Sequence, residues 1–164
     1  MDILDISLIF SITTCCLVTG FIFTYAIVVM PGLSKLNDKE FLKAFKVTDA
    51  IIQNNQPLFM LTWVGSIISI VSTIVISIVI LGISDAWYIV LVGIVYLLGV
   101  QVVTFSIHIP LNNHLQQFDF DKLDDQKLNK ERLKFEKKWN YFNNFRTVIA
   151  FFVTLALIII LKIH

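Results

Sequence analysis

A stripe of polar side chains along the third apolar segment holds the residues best suited to chemistry. Its members are spaced 3, 4 and 4 residues apart, so on a helix they share an arc of about 80°; they are Gln101, Thr104, His108 and Asn112. An ionisable residue within a membrane span is by default a candidate functional residue. Ligation of haem or copper by His108 is weakly supported, because no Cys/His cluster with metal-ligand spacing accompanies it.

A second polar stripe leads into the last apolar segment and consists of Trp139, Asn143 and Arg146. An arginine near the centre of a membrane helix costs at least about 2.5–3.5 kcal/mol, and less near the interface. Two interpretations are open at this point. Either Arg146 reaches outward to the headgroups while the asparagines cap helix ends, or the two stripes together form a polar pocket at the cytoplasmic mouth of a bundle.

Asn54 and Asn55 stand just before Pro57, at the same depth as the two stripes. They either cap the second apolar segment, with the proline in its first turn, or contribute to the same pocket. The candidate site residues are therefore Asn54, Asn55, Gln101, Thr104, His108, Asn112, Trp139, Asn143 and Arg146.

Four apolar segments must position these residues. Three of them exceed the roughly 20 residues that a helix needs to cross the hydrocarbon core, whereas the fourth does so only when it is extended backward through Arg146 and Asn143. A tight turn after Gly82 joins the second and third segments. The predicted spans are about 6–30, 57–82, 86–109 and 143–162, with connections at 31–56 and 110–142.

The composition indicates a membrane protein. Hydrophobic residues make up 57% of the 164 residues and charged residues only 15%, against about 45–50% and 25% in soluble domains. A net charge of +1 argues against a nucleic-acid partner. Apolar residues recur at helical spacing in both connections. We predict an all-α, integral membrane four-helix bundle with helical cytoplasmic extensions, forming a single domain over 1–164.

Basic residues are strongly asymmetric about the predicted bundle. The only one on the side of the termini is Lys162, while all the others lie in or beside the two connections: Lys35, Lys39, Lys43, Lys46, Lys122, Lys127, Lys130, Arg132, Lys134, Lys137, Lys138 and Arg146. Positive charges favour the cytoplasmic side. The sequence therefore predicts a multi-pass protein of the inner (plasma) membrane with both termini extracytoplasmic.

Three local segments carry a family resemblance. The first span ends in Gly20-Phe-Ile-Phe-Thr-Tyr-Ala-Ile-Val-Val-Met-Pro31, the third is followed by Ile109-Pro-Leu-Asn-Asn-His-Leu115, and the fourth is entered by Trp139-x3-Asn143-x2-Arg146. In order and topology the chain resembles the anthrone oxygenase-like family of small four-helix membrane proteins, many of whose bacterial members have no assigned function.

The resemblance implies oxidation of an anthrone to an anthraquinone by dioxygen, with no metal and no other cofactor. Such chemistry needs a base for an acidic carbon and donors for the resulting enolate. By this resemblance His108 is the candidate base, and Arg146, Asn112 and Asn143 are the candidate oxyanion donors. The candidate substrate-binding residues are Trp139, Gln101, Thr104, Asn54 and Asn55.

A non-enzymatic role stays open as the alternative. The chain is then an accessory subunit or a small transporter, although the cores of the spans lack the acidic residue that cation-coupled transporters usually need. The expected partners are the lipid bilayer and a small lipophilic or aromatic ligand, with self-association left open. An enclosed pocket holding His108 and Arg146 favours the oxygenase, and a solid core favours the alternative.

Overall fold

Four long helices and one shorter helix make up the computed structural model, which describes residues 2–163. The long helices are α1 (Ile3–Leu33), α3 (Pro57–Leu81), α4 (Ile83–Gln116) and α5 (Asp125–Ile163), and the shorter one is α2 (Asp38–Gln53). Each long helix is apolar and long enough to cross a membrane. No strand occurs among the described residues. The predicted all-α architecture with four candidate membrane spans is confirmed.

The connection between α1 and α3 is helical, as its spacing predicts. Asn37 caps α2, because its side chain accepts a hydrogen bond from the backbone N–H of Glu40. At the start of α3 the first of the two alternatives for Asn54 and Asn55, that they cap the helix, is wrong. Gln56 is the residue whose side chain accepts from the backbone of Phe59, since Asn54 still belongs to the C-terminal end of α2.

A single glycine joins α3 to α4. Gly82 has φ 79°, a left-handed conformation that other residues adopt only with strain. The two helices therefore form the hairpin that the sequence predicts. About two to three helical turns away from Gly82 they pack closely, because a Cβ atom on Gly93 would lie only 2.6 Å from Cδ1 of Ile74.

The four long helices form a closed ring in which α1 packs against α3 and α5, and α4 packs against the same two helices. Hydroxyl pairs link α1 to α3, with Ser11 Oγ 2.9 Å from Thr73 Oγ1 and Thr14 Oγ1 2.9 Å from Ser69 Oγ. Small hydroxyl residues let membrane helices approach closely and bond across the contact. Ser69 and Thr73 of α3 serve this packing.

Beyond Tyr96 the path of α4 changes. Two wide π-helical turns, Leu97–Val102 and Thr104–His108, interrupt the α-helix there, and this half of α4 packs on α5 with few close backbone approaches to α3. Wide turns of this kind shift the register of a helix and often occur at functional sites. The consequence is a space between α3 and the C-terminal half of α4.

The shorter helix α2 covers this end of the bundle. Phe45 packs against Phe135 and Trp139 of α5, with ring centroids 4.6 and 5.6 Å apart. Arg132 of α5 fixes the connection, because Nη1 donates to the backbone carbonyl of Leu36 and Nη2 to that of Ser34. The side of the bundle that carries α2, called the α2 end below, is thus a structured layer.

Orientation in the membrane is testable by labelling. Single cysteines at positions 3 and 126, both exposed, are placed in a variant in which Cys15 and Cys16 are replaced by alanine. The charge asymmetry predicts that a membrane-impermeant maleimide added to intact cells modifies position 3 and not position 126. Permeabilised cells, in which both positions should react, are the control. Labelling of position 126 alone from outside would reverse the orientation.

Candidate functional site

A cavity of about 300 Å³ lies at the α2 end of the bundle, and all five helices contribute to its wall. Its aromatic lining includes Phe21, Tyr25, Phe45, Phe59, Trp63 and Trp139, and its principal polar lining consists of Asp49, Thr104, His108, Asn112 and Arg146. A mostly apolar wall with a few placed polar groups is typical of sites for small molecules. The cavity opens between α3 and α4, where Val64, Phe105 and Ile109 form an exposed apolar rim. Exposed polar residues also border it at the α2 end, namely Gln53, Asn55 and Asn113.

The guanidinium of Arg146 is buried, with only 4% of the residue exposed. It is held by neutral partners: Nε and Nη2 donate to Asn143 Oδ1 at 3.1 and 2.9 Å, and Nη1 donates to Thr104 Oγ1 at 2.8 Å. Within residues 2–163 no carboxylate lies within 4.0 Å of it. Buried charges are normally paired, so this arrangement is suited to an anionic ligand.

Two tryptophans flank the same guanidinium. Its central carbon lies 5.8 Å from the ring centroid of Trp63 and 5.7 Å from that of Trp139. These distances are within the range of cation–π attraction, which stabilises the positive charge in an apolar setting. The two rings therefore favour a charged Arg146 and also provide flat surfaces for a planar molecule.

His108 lies beside Arg146 on the cavity wall and is 2% exposed. Its ring meets that of Trp139 edge to face, with centroids 5.0 Å apart. The backbone carbonyl of Phe142 is close to the ring, yet neither ring nitrogen makes a hydrogen bond of acceptable geometry in the described part of the chain. Buried polar atoms are nearly always bonded. The imidazole is therefore available to a bound molecule.

A chain of hydrogen bonds crosses the opposite part of the wall. Trp139 Nε1 donates to Asn112 Oδ1 at 3.1 Å, and Asn112 Nδ2 donates to Asp49 Oδ1 at 2.7 Å. The other carboxylate oxygen of Asp49 accepts from Gln53 at 2.7 Å and from Gln116 at 2.9 Å. Both groups of the Asn112 amide are thus engaged, and they fix the tryptophan and the carboxylate relative to each other.

The chain was compared with models of known protein families. Residues 53–156, well over half of the chain, match the family model described as anthrone oxygenase. The chain belongs to the anthrone oxygenase family. The resemblance inferred from the sequence is confirmed. Searches of the curated proteins and of the solved structures gave no significant match.

The match contains α3, α4 and most of α5, and with them His108, Asn112, Trp139 and Arg146. It begins after α1 and most of α2, so Tyr25 and Asp49 precede it. The cavity of this anthrone oxygenase family member is therefore built partly by residues within the matched region and partly by residues before it.

The structure brings together six of the nine residues predicted from the sequence. Those that line the cavity are Asn55, Thr104, His108, Asn112, Trp139 and Arg146. Asn143 lies behind Arg146, fully buried, and donates to the backbone carbonyl of Ile22 at 3.0 Å. Gln101 lies deeper in the core, where it donates to Ser66 and Tyr96. Asn54 is exposed and does not line the cavity.

Sequence reasoning missed Asp49 and most of the aromatic wall. Asp49 is 3% exposed and follows Phe41 and Phe45 at intervals of four residues on the apolar face of α2. The presence of an acidic residue on the apolar face of this helix could have marked it as a candidate site residue. Trp63 and Phe59 gave none, because an aromatic side chain in an apolar span is equally typical of plain packing.

Binding of a metal ion would require a cluster of suitable ligand side chains. Within residues 2–163 no group of three or more histidine, cysteine, aspartate or glutamate side chains is placed to hold a metal ion. His114, the second histidine near the site, pairs with Glu131 at 2.8 Å and does not line the cavity.

Proposed function

We propose that this anthrone oxygenase family member oxidises a planar aromatic ketone of the anthrone type with dioxygen inside the cavity. One observation carries the proposal. Arg146, buried without a carboxylate partner, and His108, buried without a hydrogen-bond partner, line the same aromatic-walled cavity. A base beside a donor for an oxyanion is the arrangement that forming an enolate requires.

Proton removal is the first step. In an anthrone a CH2 group lies between two aromatic rings and opposite a ketone, so loss of a proton gives an enolate that is stabilised by aromaticity. In the proposal the ring nitrogen of His108 that does not face the backbone carbonyl of Phe142 accepts this proton. The edge-to-face contact with Trp139 holds the imidazole in place.

Charge stabilisation at oxygen is assigned to Arg146. A guanidinium has five N–H donors, and three of those of Arg146 bond to Asn143 and Thr104. Two donors are left for the enolate oxygen of the ligand. Asn143 then positions the guanidinium, and the rings of Trp63 and Trp139 bound the space in which the planar substrate lies.

Reaction with dioxygen completes the sequence. The enolate transfers an electron to O2, and the resulting radicals join to form a C–O bond at the former CH2 carbon. Protonation by the imidazolium of His108 gives a hydroperoxide. Loss of the remaining proton on that carbon and cleavage of the O–O bond release water and form the second ketone. Anthrone and O2 thus give anthraquinone and water.

Oxygen uptake tests the proposal directly. Purified full-length protein in detergent or nanodiscs should raise the rate of oxygen consumption by an anthrone above the spontaneous background, with one anthraquinone formed per O2 consumed. Addition of a strong chelator, with no metal or flavin supplied, should leave this rate unchanged. No rate above background on several anthrones would remove the enzymatic proposal, and a chelator-sensitive rate would contradict the metal-free mechanism.

A further inference from the structure

We propose that Asp49 accepts a hydrogen bond from a hydroxyl group of the ligand and so determines which planar molecules the cavity prefers. The inference rests on the proposed function for the planar shape of the ligand. It concerns a residue of α2 that precedes the region matched by the family.

The carboxylate of Asp49 is unusual in its partners. The residue is 3% exposed and lines the cavity, yet its bonded neighbours are the amides of Gln53, Asn112 and Gln116. No Lys, Arg or His lies within 4.0 Å of it in the described part of the chain. A carboxylate that served only to hold the fold would ordinarily be paired with a cation when buried this deeply.

The nearest lysine along α2 is directed elsewhere. Lys46 Nζ donates to the backbone carbonyl of Phe118 at 2.6 Å and lies 5.7 Å from the ring centroid of Phe120. Its ammonium therefore stabilises the connection after α4 and forms no ion pair with Asp49.

A count of acceptor sites shows where a ligand can bind. An ionised carboxylate offers about four lone-pair sites, two on each oxygen. Oδ2 of Asp49 accepts from Gln53 and Gln116, whereas Oδ1 accepts only from Asn112. One acceptor site on Oδ1 is therefore unfilled, and a hydroxyl of a molecule in the cavity can donate to it.

Trp139 connects this acceptor to the cationic part of the site. Its Nε1 donates to Asn112, the partner of Asp49, and its ring centroid lies 5.7 Å from the guanidinium of Arg146. The cavity thus offers a cation at one part of its wall and an anion at another, with an aromatic face between them. A planar ketone that also carries a hydroxyl can bond to the cation through its carbonyl oxygen and to the anion through its hydroxyl. The methyl ether of the same compound has no hydroxyl and leaves the carboxylate without that hydrogen bond. Sites built to bond a hydroxyl discriminate strongly against analogues that lack it.

Binding of a stable pair of probes tests the inference independently of turnover. The probes are an anthraquinone with one hydroxyl remote from its carbonyls and the methyl ether of the same compound, titrated by calorimetry into the full-length protein in nanodiscs. The wild type should bind the hydroxy compound about tenfold more tightly. Asp49→Asn should abolish this preference, because the ligand's hydroxyl loses an anionic acceptor. The bonds from Gln53, Asn112 and Gln116 to this side chain are altered in the same variant, so the readout is the ratio of the two affinities within one variant.

Asp121→Asn is the matched control, since Asp121 is an exposed acid that pairs with Lys39 and Lys43 and does not line the cavity. It should keep the tenfold preference. If Asp49→Asn fails to fold, Asp49→Glu keeps the charge, displaces Oδ1 by one methylene, and should also lose the preference. Equal binding of both probes by the wild type, or a preference that survives either Asp49 variant, overturns the inference and leaves the proposed oxygenase standing. Failure of both probes to bind overturns both.

Discussion

His108→Ala is expected to lower kcat/KM for anthrone oxidation by about 10²–10⁴-fold, the usual contribution of a positioned general base. Within the described part of the chain, neither ring nitrogen of this cavity residue makes a hydrogen bond of acceptable geometry, although the backbone carbonyl of Phe142 lies close to the ring, so removing the imidazole breaks no well-formed hydrogen bond of the fold. The free energy of unfolding should consequently change through the packing lost around this buried side chain, including its contact with Trp139. Initial rates of oxygen uptake, compared with thermal unfolding of the same sample, measure the two effects separately.

Chemical rescue distinguishes a base from a packing residue. The alanine variant leaves a space the size of an imidazole ring, and added imidazole should restore part of the lost rate in a saturable manner. His114→Ala is the matched control, because His114 pairs with Glu131 outside the cavity and should retain the wild-type rate. A His108→Ala enzyme that keeps its full rate, or that loses it only together with its fold, would refute the assignment.

Arg146→Ala is expected to reduce the rate by about 10²–10³-fold, the effect of removing a donor to a developing oxyanion. The substitution should also lower the free energy of unfolding. Asn143 Oδ1 and Thr104 Oγ1 lose the donor that they face in a buried setting, and a buried group left without a partner costs about 1–3 kcal/mol. Oxygen uptake per folded molecule and thermal unfolding in the same detergent give the two quantities.

Arg146→Lys separates charge from geometry. A lysine keeps the positive charge but lacks the planar fork that bonds Asn143 and Thr104 at once, so its rate should fall between those of the wild type and the alanine variant. Arg132→Ala, in the same helix, removes an arginine that bonds backbone carbonyls outside the cavity; it should lower the melting temperature and keep kcat/KM. Equal rates for Arg146→Ala and the wild type would contradict the assignment of Arg146 as the donor to the enolate oxygen.

The apolar runs were sufficient to predict the four long helices and the hairpin at Gly82, because crossing a hydrocarbon layer imposes a length and a composition that few other structures share. The polar stripes were likewise informative. Placing a histidine or arginine on an apolar helix face costs free energy unless the side chain has a polar partner or lines a polar cavity. His108 and Arg146 do line one cavity.

Other parts of the site depend on contacts that spacing along one helix does not specify. Gln101 belongs to the same stripe as His108, yet each of them lies within one of the two wide turns of α4, and an ideal helical wheel does not include such turns. Asp49 reaches the cavity because α2 folds across the end of the bundle. That packing is a tertiary arrangement between helices remote in sequence. Helical spacing within the connection predicts the helix but not the part of the bundle that it covers.

The apolar rim formed by Val64, Phe105 and Ile109 between α3 and α4 bears on how kinetic constants of this protein should be expressed. A lipophilic molecule partitions into the bilayer, and a cavity that opens between two lipid-facing helices samples the molecule dissolved there. The quantity that sets occupancy is then the mole fraction of ligand in the lipid. Diluting the proteoliposomes with buffer changes it little, whereas adding empty vesicles lowers it, so half-saturation belongs on a scale of moles of ligand per mole of lipid.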